Sequence, residues 1–216
     1  MPRREVEGDD LMPSSLARDI LDLTLEHLFL VSLSMTIAAA LAIPTGILLT
    51  RRTFLQRWVL GFANIMQTVP SLALFGFLIP LPFLGGIGKH TAIVALVLYA
   101  LLPILRNTLT GILNVEPGVR ESAIAMGMTE RQLLWEVELP LATRTILAGL
   151  RIATVTTIGT ATIAAAIGGG GLGVFIFRGL ASVDTTLLLA GAVPAAVLAL
   201  AADRGLEWIE HKLSPV

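Results

Sequence analysis

Residues 117–140 read PGVRESAIAMGMTERQLLWEVELP. This polar stretch separates two long apolar ones, at residues 91–112 and 146–167, each long enough to cross a membrane. A polar segment held between two membrane spans has to lie in the water beside the membrane. The stretch therefore indicates an element that docks against another protein.

Local signals predict two short helices joined by a hinge in this stretch. Pro117 suits the first turn of a helix, where no backbone N–H is needed. Gly127 is expected to end that helix, because glycine readily takes the left-handed conformation of a C-terminal cap. Thr129 and Gln132 form a capping-box pattern that starts a second helix, and Pro140 is expected to end it. Such a rigid bent hairpin can fill a groove on another protein and move as one body.

The second helix is predicted to be amphipathic. Its apolar side chains are expected to face the membrane domain, namely Leu133, Leu134 and Val137. Its charged side chains are expected to face water, namely Glu130, Arg131 and Glu138. On these features alone, an amphipathic loop that merely lies on the membrane is an alternative.

Composition sets the class of protein. Of the 216 residues, 55% are hydrophobic and 14% charged, and the mean hydropathy is +0.82, which is typical of an integral membrane protein. The net charge of −1 does not suggest a nucleic-acid-binding surface. Cysteine is absent, so disulfides and thiolate metal sites are excluded. The polar, acidic first 24 residues do not predict a cleavable signal peptide.

Uncharged runs predict an all-α membrane protein with about five spans in a single domain over residues 1–216. The expected spans are residues 28–50, 58–78, 91–112, 146–167 and 185–202. An apolar turn through Pro80, Pro82, Gly85 and Gly86 is expected to follow the second span. The polar loop then occupies residues 113–141.

The two ends are expected to lie at the membrane surfaces. Residues 1–25 form an outer amphipathic segment, with residues 15–26 predicted as a helix on the outer surface; a helical extension of the first span is the alternative. Residues 203–216 form an inner interfacial tail. If the loop at Arg51 is cytoplasmic, ten of the fifteen Lys and Arg residues lie inside, which predicts an outer amino terminus and a cytoplasmic carboxyl terminus.

The polar loop resembles the EAA loop of permease subunits of ATP-binding-cassette importers. The pattern consists of Glu121-Ser122-Ala123, Gly127, Val137 and Leu139-Pro140. Ser122 stands where the family has alanine, and Val137 where it has isoleucine. The resemblance implies a type I importer permease fold in a bacterial or archaeal inner membrane. It also implies that this loop is the coupling helix that enters a groove of the ATPase, with contacts or hinge at Glu121, Ser122, Ala123, Gly127, Thr129, Leu139 and Pro140.

Two further stretches resemble the osmoprotectant branch, whose members import glycine betaine, carnitine or choline. The first is residues 67–74, QTVPSLAL, and the second is residues 167–173, IGGGGLG, followed by FIFRG at 175–179. Gly169 stands where the family commonly has alanine. An amino-acid or methionine permease is the alternative, because the span pattern and coupling loop would be the same. A membrane scaffold or passive channel without ATP coupling is the other alternative.

Polar and flexible positions within the spans are candidates for the pathway and its gate. In the second span they are Gln67, Thr68, Pro70 and Ser71, and in the fourth they are Thr156 and Thr160, which share a helix face. Gly170, Gly171 and Gly173 predict a pliable gate or loop at the outer end of the fourth span. Helix packing is the alternative for the threonines, and a simple helix-breaking loop for the glycines.

No catalytic or metal site is predicted. The run GGIGKHT at residues 85–91 lacks the glycine and Lys-Ser/Thr spacing of a phosphate loop. No carboxylate lies at the centre of a span, which argues against proton coupling. ATP and Mg are therefore expected on a partner ATPase. Few aromatic residues are available for a quaternary-ammonium cage, so solute capture is expected on a separate extracytoplasmic binding protein. The other expected partners are a second permease subunit, the same or related, and membrane lipid.

Overall fold

The computed structural model describes residues 12–82 and 85–213, and this part of the chain is almost entirely helical. The α-helices in chain order are α1 (Met12–Thr50), α2 (Thr53–Thr68), α3 (Ser71–Leu78), α4 (Lys89–Leu113), α5 (Pro117–Ala125), α6 (Glu130–Gln132), α7 (Leu139–Ile163), α8 (Gly173–Ser182) and α9 (Thr185–Leu213). A π-helical turn (Leu133–Glu138) joins α6 to α7, and a 3₁₀ turn (Ala164–Ile167) follows α7.

Four continuous helical segments of the described chain are long and apolar enough to span a membrane. They are Leu16–Thr50, Lys89–Leu113, Glu130–Ile167 and Thr185–Leu213. The pair α2 and α3 forms the fifth apolar element. The predicted membrane class and the count of about five spans are confirmed.

The second span is not the single helix that the sequence predicts. The axes of α2 and α3 differ by 105° at the break between Thr68 and Ser71. Proline disfavours a helical conformation in the residue before it, and Val69 is extended, with φ −67° and ψ 128°. The hydroxyl of Tyr99 on α4 donates to the carbonyl of Val69. The bend is therefore held from a neighbouring helix.

Both predicted end segments are continuous with the adjoining spans. Residues 15–26 belong to α1, so the alternative of a helical extension is what the structure shows. Residues 203–213 likewise continue α9, whereas residues 1–11 and 214–216 lie outside the described part. The continuous candidate span Leu16–Thr50 has 35 residues, or about 52 Å at 1.5 Å per residue, and exceeds a hydrocarbon core of about 30 Å. A helix continues in such places because nothing in its sequence breaks it.

The sequence predicts that Pro140 ends the second helix of the hairpin, and the structure shows that it does not. It lies in the first turn of α7, directly after the π-helical turn. There the N–H of Leu139 reaches back five residues to the carbonyl of Leu134. A π-helical turn gives the chain a wider loop just before the proline, so the helix continues past it.

Helix α4 lies at the centre of the described fold, packed against α1, α2, α3 and α7. One buried cluster includes Leu30, Phe75, Leu96 and Ile158. A second joins small residues of α1 and α7, such as Ala38, Ala42 and Ala153, to the middle of α4. Small residues at helix contacts let backbones approach closely in membranes, where van der Waals packing drives helix association. This packing places the polar hairpin at one end of the bundle.

Candidate functional site

The hairpin has the local structure that the sequence predicts up to Gln132. Helix α5 begins at Pro117 and ends in a cap made of two backbone hydrogen bonds. The N–H of Gly127 donates to the carbonyl of Ile124 at 2.9 Å, and the N–H of Met128 donates to the carbonyl of Ala123 at 3.2 Å. This is a Schellman cap, and its glycine has the left-handed φ of +85°. The hinge at Gly127 is thus a defined turn between two helices.

The capping box at Thr129 is also confirmed. Its backbone N–H donates to Oε1 of Gln132 at 3.0 Å, and its Oγ1 accepts from the N–H of Gln132 at 3.3 Å. Together with the Schellman cap, this box fixes the angle between α5 and α6.

The predicted contact residues of the hairpin do not all face outward. Glu121 and Ser122 are exposed, but Ala123 is 2% exposed and packs inward. Leu139 is half-buried, and Pro140 is exposed. The exposed surface of the hairpin instead carries three large apolar side chains that the sequence analysis did not identify as contact residues. They are Ile124 (59% exposed), Met126 (73%) and Trp135 (61%). Exposed apolar side chains of this size are typical of a surface that contacts another protein or the membrane.

The prediction that Glu138 faces water is wrong. Its side chain is 1% exposed and lies between two arginines. Nη2 of Arg51, just after α1, donates to Oε2 at 3.0 Å. Nε of Arg120, on α5, lies 3.3 Å from Oε1. A buried carboxylate needs such partners, because an unpaired charge away from water is costly.

Arg120 extends this cluster to a fourth element. Its guanidinium also donates to the backbone carbonyl of Ile112, near the end of α4. The Arg51–Glu138–Arg120 cluster therefore joins the ends of α1 and α4 to the hairpin and to the start of α7. Sequence reasoning missed it because Arg51 and Glu138 are 87 residues apart.

The glycine run forms a tight turn packed on α1. Gly168, Gly170 and Gly171 have left-handed φ values of +76°, +82° and +75°. The N–H of Gly171 donates to Oε2 of Glu26 at 2.8 Å, and Nζ of Lys89 lies 2.5 Å from Oε1 of the same carboxylate. Glu26 thus ties α1 to α4 and to the run. A role as a gate stays a prediction.

Gly173, the last candidate of the glycine run, begins a helix that the sequence reading did not identify. A Cβ built there would lie 1.8 Å from the carbonyl oxygen of Thr162. Glycine is therefore required at this position for the close approach of α8 to the end of α7.

The candidate pathway residues of the second span lie at the bend between α2 and α3. Gln67, Thr68 and Pro70 are exposed and Ser71 is half-buried. The hydroxyl of Thr68 donates to the carbonyl of Ile65 at 2.8 Å. The bend thus presents a polar amide, a hydroxyl and a proline on the surface of this subunit.

The candidate threonines of α7 bind their own helix. The hydroxyl of Thr156 donates to the backbone carbonyl of Ile152 at 2.8 Å, and the hydroxyl of Thr160 donates to the backbone carbonyl of Thr156 at 2.9 Å. Thr156 is exposed and Thr160 half-buried. Because each hydroxyl is already hydrogen-bonded to the helix backbone, these threonines offer only weak polarity to groups outside the subunit.

A second ionic cluster joins α7 to the end of α9. Arg151 lies 3.6 Å from Asp203, 3.8 Å from Glu207 and 3.7 Å from Glu210. The sequence placed these acidic residues on an interfacial tail and did not pair them with α7. Among residues 12–82 and 85–213, no group of three or more His, Cys, Asp or Glu side chains could hold a metal ion.

Comparisons with known proteins identify the class to which this bundle of apolar helices with a capped polar hairpin belongs. Residues 42–215 match the family described as "binding-protein-dependent transport system inner membrane component". The chain belongs to this family of ATP-binding-cassette importer permeases. It is therefore a multi-pass inner-membrane protein.

Curated relatives match over most of their length. The chain is 46% identical to the carnitine transport permease protein OpuCB of Listeria monocytogenes, over 89% of this chain and 87% of that protein. It is 45% identical to the choline transport system permease protein OpuBD of Bacillus subtilis, over 88% and 83%. With the osmoprotectant import permease protein OsmW of Salmonella typhimurium the identity is 43%, over 90% and 89%.

Solved structures confirm the type I importer permease fold. A chain of the inward-facing methionine transporter MetNI superposes with a TM-score of 0.82 at 24% identity, covering 96% of this chain and 100% of that one. A chain of an amino-acid ATP-binding-cassette transporter gives 0.76 at 19% identity, over 94% and 98%.

Proposed function

We propose that this chain is the membrane subunit of an ATP-driven importer of compatible solutes such as glycine betaine, carnitine or choline. The relatives named for carnitine and choline transport support this substrate class, because they match at 45–46% identity over most of both chains. The resemblance of the QTVPSLAL and IGGGGLG stretches to the osmoprotectant branch agrees with it. The structural neighbours share the fold at lower identity and carry no substrate argument.

The observation that carries ATP coupling is the exposed, doubly capped hairpin. Glu121 and Ser122 lie on its open surface beside Ile124, Met126 and Trp135. We assign this surface to contact with an ATPase subunit, which binds ATP and Mg. Ala123, Gly127, Thr129, Leu139 and Pro140 act by shaping the hairpin and its connection to α7.

The translocation pathway lies between this chain and a second permease subunit. The polar groups at the α2–α3 bend and Thr156 of α7 support this assignment, because they are exposed on the subunit. Weak polar groups suit brief passage of a zwitterion or quaternary cation. The packed turn at Gly170 and Gly171 is the proposed outer gate. An extracytoplasmic binding protein delivers the solute to this side, where the amino terminus lies.

The test is ATP-dependent uptake in proteoliposomes that hold this chain, its candidate ATPase and its binding protein. Labelled glycine betaine, carnitine and choline are compared with methionine and histidine. Uptake of the quaternary ammonium solutes is expected. Uptake of an amino acid alone would overturn the substrate class and leave ATP coupling in place. A verified intact complex that imports nothing would favour a scaffold.

A further inference from the structure

The Arg51–Glu138–Arg120 cluster is a buried ionic contact between the hairpin and the membrane bundle. The three residues after α4, numbers 114–116, are not helical, so α5 is joined to α4 by a short non-helical link. On the other side, the π-helical turn is a local departure from regular helix. Helix α6 continues through this turn into α7 as one helical segment, whereas α5 is joined to α4 by the non-helical link and to α6 by the turn at Gly127. A side-chain contact between α5 and the bundle therefore helps to fix the position of α5 relative to the spans.

Glu138 supplies that contact. It lies at the end of the π-helical turn and is completely buried. It pairs with Arg120 of α5 and with Arg51, which follows α1. Arg120 belongs to the hairpin and Arg51 to the bundle. The carboxylate therefore connects the part that is expected to move with the ATPase to the part that lines the pathway.

The two halves of the cluster differ in geometry. The Arg51 contact is a hydrogen-bonded ion pair at 3.0 Å. Oε1 of Glu138 and Nε of Arg120 lie 3.3 Å apart without hydrogen-bond geometry. Charge attraction depends less on angle than a hydrogen bond does. The hairpin side of the cluster is therefore held by the charge of Glu138 and not by a directed hydrogen bond.

We propose that Glu138 is the positioning residue that makes the hairpin and the spans move as one body, and so determines how much solute moves per ATP hydrolysed. This inference rests on the proposed coupling function. It assigns the role to the negative charge. A glutamine of nearly the same shape would leave the two arginines without their counter-charge.

The first experiment measures solute imported per ATP hydrolysed in the reconstituted complex. Glu138→Gln is expected to lower this ratio by about tenfold, within the usual range of coupling changes, while ATP hydrolysis continues. Glu138→Asp, which keeps the charge, is expected to recover most of the ratio. Glu207→Gln, which removes a half-exposed carboxylate of the other ionic cluster, is the control and is expected to leave the ratio unchanged. An unchanged ratio in Glu138→Gln would overturn the proposal.

A second experiment does not depend on transport. Because the chain has no cysteine, spin labels at Leu48→Cys on α1 and Val119→Cys on α5 are the only labels on this chain. In complexes assembled with an excess of unlabelled permease chains and with cysteine-free partner subunits, they report the distance between α1 and α5. A narrow distribution is expected in the parent and in Glu136→Gln, whose exposed carboxylate lies on the same turn. Glu138→Gln is expected to broaden it. A distribution that stays narrow would overturn the proposed role of Glu138, even if the wild-type complex imports no solute and the proposed function fails.

Discussion

Glycine has two distinct roles at single positions of this chain. At Gly127 the backbone is left-handed and a side chain would meet empty space. At Gly173 a side chain would collide with the backbone of Thr162. The first position requires a conformation and the second requires a close approach, so the same substitution is expected to have different effects.

Gly127→Ala is expected to destabilise the hairpin cap by about 1–2 kcal/mol, because an L-residue is strained at a left-handed φ. The spans are expected to stay folded. Hydrogen exchange of residues 123–132 is expected to speed up relative to the parent. Gly205→Ala is the control, since glycine at 205 lies in a helix with open space around it. Equal exchange in Gly127→Ala and parent would show that the turn does not need glycine.

Gly173→Ala is expected to lower the thermal midpoint of the whole protein in detergent, because backbone atoms must shift to admit a methyl group. Gly61→Ala, at a helical position with nothing within 4 Å, is expected to leave it unchanged or raise it. The measurement is thermal unfolding followed by circular dichroism. A loss no larger than that of the control would mean that α8 can move away from α7 without cost.

Breaks between elements have different causes in this fold. The α2–α3 bend combines a proline with a hydrogen bond from Tyr99, 30 residues away. At Pro140 the chain does not bend away, because the π-helical turn before it lets the helix continue. A proline in the sequence therefore marks a place where the helix must change, and neighbouring groups decide how.

Tyr99→Phe is expected to loosen the α2–α3 bend. The lost hydroxyl leaves the carbonyl of Val69 without its partner, which typically costs about 1–3 kcal/mol for a buried group. Hydrogen exchange at residues 66–74 is expected to accelerate while α4 stays protected. Thr45→Val is the matched control, because its exposed hydroxyl serves only its own helix. If the bend exchanges at the parent rate, the proline alone holds it.

The whole molecule has long apolar helices of uneven coverage. Within the described chain α4 is well buried, since 61% of its most apolar 18-residue stretch lies inside the bundle. For α9 the corresponding buried share is only 11%. Among the four continuous spans of the described chain, α9 therefore has the smallest buried share and leaves most of its surface for lipid or a second subunit. Orientation in the membrane is a property at this scale, and the distribution of basic residues predicts it.

The outer amino terminus and cytoplasmic carboxyl terminus predict the labelling of single cysteines in the cysteine-free chain. Ile87→Cys, two residues before α4, is expected to react with an impermeant maleimide on intact spheroplasts. Phe54→Cys and Trp208→Cys are expected to react only after lysis. All three parent residues are well exposed, so a difference in labelling reports the side of the membrane. The reverse pattern would invert the orientation.

Much of the fold could be predicted because its signals are local. Span positions follow from uncharged runs, and the hairpin follows from Pro117, Gly127 and Thr129, each of which acts within four residues. The candidate site was predictable to the same extent: the hairpin was identified, and its exposed Ile124, Met126 and Trp135 were not. An apolar residue in a membrane protein gives no sequence signal for the side on which it lies.

The sequence by itself determined that this chain is a helical membrane protein of the importer permease family with a doubly capped hairpin. Only the tertiary structure decided that Glu138 is buried between Arg51 and Arg120, that Tyr99 holds the α2–α3 bend, and that α1 and α9 continue past the expected span ends. The reason is physical. Caps and hydropathy depend on neighbours along the chain, whereas burial of a charge depends on groups that only folding brings together.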